Sequence, residues 1–185
     1  MGNQKLLKLT MSGMLIAVGL IIPMFSPIRI ILEPASFTLA SHVVIFIAMF
    51  ISPAMAASVS LGTTLGFFFG GFPIIVVMRA ATHVIFAVMG SFYLHNIAKG
   101  PLSPVMLRVF SFAAAVIHAV GEVAVVSVFF FGGNIHPMSL EQGFFTSVIL
   151  LVGLGTVVHS MVDFEIARLV IVPLKKQREL KELIS

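Results

Sequence analysis

The stretch FPIIVVMRAATHVIFAVMG, residues 72–90, places Arg79 and His83 one helical turn apart inside an apolar run. The run is about as long as the roughly 20 residues that an α-helix needs to cross the hydrocarbon core of a bilayer. An ionisable side chain at that depth is costly, and it usually faces the interior of a helix bundle or a water-filled cavity. The stretch therefore predicts a membrane-spanning helix with polar groups on its inner face.

The composition extends this prediction to the whole chain. Hydrophobic residues make up 59% of the 185 residues and charged residues 10%, whereas a soluble domain carries about 25% charged residues. A soluble fold would have too little polar surface to cover so much apolar volume. Because the sequence has no cysteine, disulfides, thiolate metal sites and thiol nucleophiles are excluded. We expect an all-α membrane protein with one transmembrane domain over residues 1–185.

Proline and glycine clusters divide the chain into apolar segments that predict a bundle of six transmembrane helices. The second and third segments are short and are separated by Ser52 and Pro53. The first is interpreted as a membrane helix and not as a secretory signal, because no A-x-A-like cleavage site follows it. The six segments cover residues 6–24, 39–51, 54–69, 74–94, 105–131 and 142–171.

The distribution of basic residues predicts the orientation. Short loops on the cytoplasmic side of a membrane protein carry an excess of Lys and Arg. On one side the chain offers only Arg29, so we expect both termini in the cytoplasm of a bacterial cell and a basic cytoplasmic tail from about residue 172. The net charge of +4 reflects this asymmetry, and no nucleic-acid partner is expected. The basic residues on the other side are Lys5, Lys8, Lys99, Arg108, Arg168, Lys175, Lys176, Arg178 and Lys181.

The outer connections predict a mouth with a lid. The longest connection, FSPIRIILEPASFTLASH at residues 25–42, joins the first two helices and is rich in β-branched and aromatic residues. A hydrophilic linker would not carry so many of them, so we expect an ordered flap over the outer face. Two further outer connections, GGFP and FGGNIHPMSLEQ, add glycine-rich turns with a few polar groups at the same end.

Three pairs of ionisable residues stand at i, i+4 spacing, each on one face of its helix: Arg79 with His83, His118 with Glu122, and His159 with Asp163. A rise of about 1.5 Å per residue places Arg79 roughly 9 Å and Glu122 roughly 14 Å below the outer rim. Counted from Gln142, His159 and Asp163 lie roughly 25 to 30 Å down. We therefore expect the first two pairs to reach one cavity and the third to lie near the cytoplasmic surface, away from an external ligand.

Several roles fit these polar residues. Arg79 and Glu122 either contact a ligand or neutralise each other as an interhelical ion pair, and His83 and His118 also suit the core as histidines bonded to a carbonyl. A rival interpretation is an intramembrane metal-dependent enzyme built from HxxxE and HxxxD. The unequal depths and the missing HExxH and EExxxR patterns argue against it, so no catalytic residue and no metal ligand is predicted.

Small residues mark faces where helices approach closely. Gly13 and Ala17 repeat at four-residue spacing in the first helix, and Ala56 and Ser60 do so in the third. Packing inside the chain explains such faces, and so does contact with a partner subunit. We take these four residues as the candidate partner interface.

Taken together, the six helices, the long first outer loop and the small face of the first helix resemble the substrate-binding S-component of an energy-coupling factor (ECF) vitamin transporter. The stretch SGMLIA is similar to the alanine-rich AxxxA motif of that family, with Gly13 in place of the first alanine and Ala17 at the second. The resemblance implies capture of a vitamin outside the cell membrane and partnership with the transmembrane coupling subunit EcfT and two cytoplasmic ATPases. The sequence has no GxxxxGK[ST] phosphate loop, so we expect neither an enzyme nor a cofactor.

The resemblance also implies a ligand site between the outer parts of the fourth, fifth and sixth helices, beneath the first loop. A guanidinium at this depth offers forked donors to a carboxylate, which favours an anionic vitamin, pantothenate or nicotinate. Pyridoxine or hydroxymethylpyrimidine is the alternative if Arg79 forms an ion pair with Glu122 and not with the ligand. The implied substrate-binding residues are Arg79, His83, Glu122, Asn134, His136, Gln142, Phe145, Arg29, Phe37 and His42.

Overall fold

The structure is a computed structural model that describes residues 2–32, 34–98, 100 and 102–176. Within these residues, four stretches are long and apolar enough to cross a membrane, and Pro53–Phe69 is a shorter apolar helix, which confirms the prediction of a helical membrane protein. Two π-helical stretches, Tyr93–Ile97 and Phe145–Leu154, continue α4 and lead into α7. The helices are α1 Gly2–Phe25, α2 Val43–Met49, α3 Pro53–Phe69, α4 Ile74–Phe92, α5 Pro104–Phe131, α6 Pro137–Phe144 and α7 Gly155–Leu174.

Two helices begin at a serine followed by a proline. Ser52 precedes α3 and accepts a hydrogen bond from the backbone N–H of Met55 at 3.2 Å. Ser103 precedes α5 and accepts one from Met106 at 3.3 Å. Serine at this position satisfies an N–H that lacks a partner within the helix, and the proline that follows has no N–H to satisfy. Both helices begin one residue before the segments predicted from the sequence.

The second helix is much shorter than the predicted segment over residues 39–51. α2 has seven residues, so it is about 10 Å long, whereas the hydrocarbon core is about 30 Å thick. All seven residues are buried, and the helix contacts α1, α3, α4 and α7. α2 is therefore a central core element, and the outer half of this part of the chain is not helical.

The predicted flap between the first two helices is a β-hairpin, which the all-α prediction did not include. Strand β1 (Arg29–Leu32) pairs antiparallel with β2 (Ala35–Thr38), with Arg29 opposite Thr38 and Leu32 opposite Ala35. β1 is exposed along its length, while Ala35 and Thr38 on β2 are buried. The β-branched residues that suggested an ordered flap also favour strands.

The directions of the helices place the loops at two ends of the bundle. α1 and α3 run parallel, because Gly62 lies against Ile16 and Gly66 lies against Leu20. α3, α4 and α5 then follow one another as packed neighbours joined by short connections, so they alternate in direction. The hairpin, the α3–α4 turn and α6 consequently share one end, which we call the hairpin end.

A cluster of large hydrophobic side chains fills the half of the bundle that lies away from the hairpin end. We call it the apolar layer; it is centred on Phe46 and Met49 of α2, Phe86 of α4 and Phe164 of α7, all fully buried. The ring centroid of Phe46 lies 5.2 Å from that of Phe164 and 5.6 Å from that of Phe86. The layer closes the bundle beneath the candidate site.

Candidate ligand-binding site

A cavity of about 280 Å³ lies under the hairpin, between the outer halves of the helices. β1 and β2 form its roof, and residues of α4, α5 and α7 form its walls. Six of the ten residues predicted to bind a substrate line this cavity. They are Arg29, Phe37, His42, Arg79, His83 and Glu122.

Arg79 and Glu122 form a buried ion pair between α4 and α5. The Arg79 Nη2 atom donates to Glu122 Oε2 at 2.8 Å, and both side chains are at least nine-tenths buried. Thr156 of α7 donates its hydroxyl to the same carboxylate oxygen at 2.7 Å. The ion-pair role considered for Arg79 is therefore present, yet the residue also lines the cavity. Its Nε atom is buried and has no hydrogen-bond partner among the described residues.

Four imidazoles meet beside this ion pair, and we call them the histidine cluster: His42, His83, His118 and His159. His42 lies at the centre, with its ring centroid 4.7 Å from His83, 4.6 Å from His118 and 5.1 Å from His159. All four line the cavity. Sets of three nitrogen or carboxylate atoms lie within 4.8 Å of one another, in the group His42, His83, His118 and in the group His42, His159, Asp163.

Asp163 holds the non-helical backbone in front of α2. Its carboxylate accepts hydrogen bonds from the backbone N–H of Ala40 at 2.7 Å and of His42 at 2.9 Å. Ala40 has a φ of 68°, a conformation that costs a non-glycine residue about 1 to 2 kcal/mol. Irregular backbone at membrane depth persists where protein groups satisfy it. Asp163 thus fixes the turn that carries His42 into the bundle.

The prediction that His159 and Asp163 lie far below the site is wrong. His159 lines the cavity, and Asp163 contacts His42 directly. Gly143 has a non-helical φ of 80°, so α6 is a separate helix and the spanning stretch starts at Phe145 and not at Gln142. This shift of three residues changes the counted depth by only about 4.5 Å, so the break in the helix explains a small part of the error. His42 was also expected in a lid, whereas the short α2 places it at the floor of the cavity.

Four of the predicted substrate-binding residues do not line the cavity. Asn134 and His136 lie beside the roof, in a shallow surface depression shared with Pro34 and Ile75. Gln142 accepts a hydrogen bond from Ser147 at 3.4 Å, and the side chain of Phe145 is 65% exposed. The sequence placed all four at the correct end of the bundle but could not show that the hairpin covers the space between them and Arg79.

The candidate partner interface divides into an exposed and a buried half. Gly13 and Ala17 lie on the exposed face of α1, and a Cβ added at Gly13 would meet none of the described atoms within 4 Å. Ala56 and Ser60 of α3 are completely buried within the bundle. The prediction is therefore corrected for these two residues, since their small size serves packing inside this chain.

Several lining residues were not predicted. Thr156 and His159 come from α7, and Thr38 and Ser41 come from the end of the hairpin and the turn after it. A sequence signal existed for Thr156, because positions 156, 159 and 163 follow a spacing of three and four that places them on one helix face. No comparable periodicity marks the turn residues.

The charges around the cavity leave a negative balance. Among the buried described residues, one guanidinium, Arg79, faces two carboxylates, Glu122 and Asp163, when the imidazoles are neutral. Arg29 adds a positive charge at the exposed mouth. The inner surface thus combines fixed ionic groups, imidazole nitrogens and aromatic rings, which suits the binding of a small polar aromatic molecule.

Among curated proteins, the chain is similar to the niacin transporter NiaX of Lactococcus lactis subsp. cremoris (strain MG1363). The two sequences are 40% identical over 164 residues, which cover 88% of this chain and 72% of the relative. No protein-family profile and no solved structure matches the chain.

Proposed function

Since the chain belongs to the substrate-binding S-components of ECF vitamin transporters, we propose that it binds nicotinate in the cavity under the hairpin. The relative is named a niacin transporter, and nicotinate was one of the two anionic vitamins favoured from the sequence. The observation that carries the proposal is the buried guanidinium of Arg79 in the lining of a small cavity under the hairpin.

The size and lining of the cavity support nicotinate over larger or more flexible vitamins. A volume of about 280 Å³ lies just below the roughly 300 to 1,000 Å³ of small-molecule pockets. It suits a single aromatic ring with one carboxylate. Phe37, Phe72 and the imidazoles offer flat surfaces against which such a ring packs well. Pantothenate has no ring to use these surfaces.

Each part of nicotinate has a matching group in the cavity. The guanidinium of Arg79 belongs to the cavity lining and would offer a charge-assisted hydrogen bond to the carboxylate. The pyridine nitrogen is an acceptor, and Thr38, Ser41 and the histidine cluster supply hydroxyl and N–H donors. Arg29 at the mouth attracts an anion towards the entrance.

Equilibrium binding to the purified chain tests this proposal. Radiolabelled nicotinate should bind with saturation, and unlabelled nicotinate should compete far better than pantothenate, pyridoxine or hydroxymethylpyrimidine. A His95→Gln variant should bind as the parent chain does, because His95 lies at the opposite end of the bundle and bonds to the carbonyl of Ser91. Preference for pyridoxine or pantothenate over nicotinate would refute the assignment.

We also propose that the chain crosses the membrane six times with both termini in the cytoplasm. α1, the hairpin with α2, α3, α4, α5 and residues 145–174 would form the six passages. The basic residues at the end opposite the hairpin support this orientation through the positive-inside bias. Lys99, Arg178, Lys181 and most of the predicted basic tail lie outside the described residues. The supporting residues are Lys5, Lys8, Arg108, Arg168, Lys175 and Lys176.

Transport would then require EcfT and its two ATPases, with Gly13 and Ala17 of α1 facing EcfT. Gly13→Leu should leave nicotinate binding intact, because the added side chain meets no described neighbour, yet it should abolish uptake in the assembled complex. The matched variant is Gly19→Leu on the same helix. There a Cβ would lie 2.6 Å from Thr63, so this change should destabilise the chain itself. Normal uptake by Gly13→Leu would place the partner contact elsewhere.

A further inference from the structure

We propose that His42, His83 and His118 together bind one divalent transition-metal ion of the first row at the floor of the cavity. The three residues belong to the turn before α2, to α4 and to α5, so the fold brings them together from distant parts of the chain. The proposal of a metal site rests on the geometry of these three residues and does not depend on nicotinate binding. Its further role, to balance the charge of the vitamin, rests on the proposed binding of nicotinate.

The three imidazoles form a nearly regular triangle. Their ring centroids are separated by 4.7 Å (His42 to His83), 4.6 Å (His42 to His118) and 4.7 Å (His83 to His118). One nitrogen from each ring lies within 4.8 Å of the other two. Nitrogens bound at about 2.0 to 2.1 Å to one tetrahedral Zn²⁺ are roughly 3.3 Å apart. From a spacing of up to 4.8 Å, each ring nitrogen would therefore move inward by up to about 0.8 Å on binding.

His118 lacks the partners that a structural histidine would have. It is 1% exposed, and neither of its ring nitrogens has a hydrogen-bond partner among the described residues. The nearest carboxylate oxygen, Oε1 of Glu122, is 3.5 Å from Nε2 and is not in hydrogen-bonding geometry. An unsatisfied buried polar group costs about 1 to 3 kcal/mol. Coordination to a metal ion would satisfy this ring.

The surroundings of the triangle match the outer shell of a histidine metal site. Metal-bound histidines usually donate their second ring N–H to a carboxylate or a carbonyl, which fixes the ring. The Nδ1 atom of His42 lies 3.1 Å from Oδ2 of Asp163, whose carboxylate is itself held by two backbone N–H groups. Oε1 of Glu122 lies 3.4 Å from Nε2 of His83.

The net charge of the buried groups indicates what a bound metal ion would contribute. With neutral imidazoles, the described buried groups leave one uncompensated negative charge, because Arg79 offsets Glu122 and Asp163 remains. A nicotinate anion would add a second negative charge in a site of low dielectric, where repulsion is strong. A divalent cation reverses the sign, and its positions not taken by imidazole remain open to the carboxylate or the pyridine nitrogen. Nitrogen donors of this kind suit Zn²⁺, Ni²⁺ and Co²⁺ over Mg²⁺ or Ca²⁺.

Titration with the metal alone tests the site without the vitamin. The chain is purified on an affinity tag without histidines, stripped with a chelator and titrated with Co²⁺, whose visible absorption reports coordination. We expect one Co²⁺ per chain. His118→Phe should weaken binding by more than about 100-fold, beyond the 10- to 100-fold typical of an outer-shell change. Phenylalanine suits this position because His118 already stacks on Phe86, with centroids 4.6 Å apart.

The controls separate a lost ligand from a lost fold. His95→Gln, at the opposite end of the bundle, should bind Co²⁺ as the parent chain does. The thermal unfolding midpoint of His118→Phe should be at least as high as that of the parent without metal, because the variant removes a buried polar group that lacks a partner. If that variant does not fold, His83→Gln takes its place with the same expectation. Absence of Co²⁺ binding by the parent, or equal binding by the folded variant, would overturn the proposal.

Nicotinate binding to the stripped and the metal-loaded chain tests the role of the ion. If the ion balances the vitamin's charge, loading should raise nicotinate affinity, and nicotinate should raise Co²⁺ affinity by the same factor. Equal nicotinate affinity in both states would overturn this role. Normal Co²⁺ binding with no nicotinate binding in either state would instead refute the proposed function and leave the metal site in place.

Discussion

Two adjoining regions of the bundle interior are stabilised by different kinds of interaction. The apolar layer consists of side chains such as Phe46 and Phe164, whereas the region above it contains ion pairs and imidazoles, which we call the polar layer: Arg79, Glu122, Thr156, Asp163 and the histidine cluster. The boundary is sharp, because the ring of Phe86 stacks directly on that of His118 at 4.6 Å. Both regions are buried, so the difference between them is not one of solvent access.

The difference indicates which interactions stabilise each layer. Lipid tails are as apolar as a phenylalanine side chain, so the apolar layer gains mainly from close packing and not from leaving water. Groups in the polar layer are buried as well, and most of them take another member of the layer as their hydrogen-bond or ion-pair partner. Loss of one phenylalanine leaves a void, whereas loss of one charge leaves its partner uncompensated. A single change in the polar layer should therefore be recovered when its partner changes too, whereas a void in the apolar layer should not.

The largest effect should come from Arg79→Ala. Removal of the guanidinium leaves the buried carboxylate of Glu122 without its counter-ion, and breaking a buried ion pair in this way costs about 3 to 5 kcal/mol. The double variant Arg79→Met with Glu122→Gln removes both charges, which is often neutral, so folding should recover. Nicotinate binding should not recover, because the donor to its carboxylate is gone. Denaturant unfolding in detergent and equilibrium binding measure the two quantities.

Phe46→Ala in the apolar layer is the matched control. It should cost a similar free energy of unfolding, about 3 to 5 kcal/mol, through the cavity it leaves. A second charge-removing change in the polar layer should not restore it.

Two outcomes would contradict these predictions. Nicotinate binding by the Arg79→Met, Glu122→Gln double variant equal to that of the parent would show that Arg79 serves packing alone. Failure of the double variant to regain stability would contradict the contrast between the layers.

The sequence predicted part of the polar layer, because helical periodicity is local. It correctly placed Arg79 and His83 on one face and Glu122 on the facing helix. Counting residues along one helix could not show that His159 and Asp163 of α7 meet His42 of another part of the chain.

His42 was predicted to bind the substrate, but its place at the floor of the cavity was not predicted. That position depends on the hairpin, on the positive φ of Ala40 and on the carboxylate of Asp163 more than 100 residues later. Such long-range contacts leave no periodic signal in the sequence. The triangle of His42, His83 and His118 was missed for the same reason, since helical spacing placed His83 and His118 on different helices and gave no position for His42.

The smallest effect should come from Thr156→Val, which probes the polar layer without changing a charge. Valine has nearly the shape of threonine but lacks the hydroxyl that donates to Oε2 of Glu122 at 2.7 Å. A hydrogen bond to a charged group contributes about 1.5 to 3 kcal/mol, and Glu122 keeps its bond from Arg79, so the loss should stay below that of Arg79→Ala. Thr156→Ser keeps a hydroxyl and should retain most of the stability. If valine and serine behaved alike in denaturant unfolding, Thr156 would contribute through packing, and the polar layer would depend less on its hydrogen bonds than the contrast with the apolar layer requires.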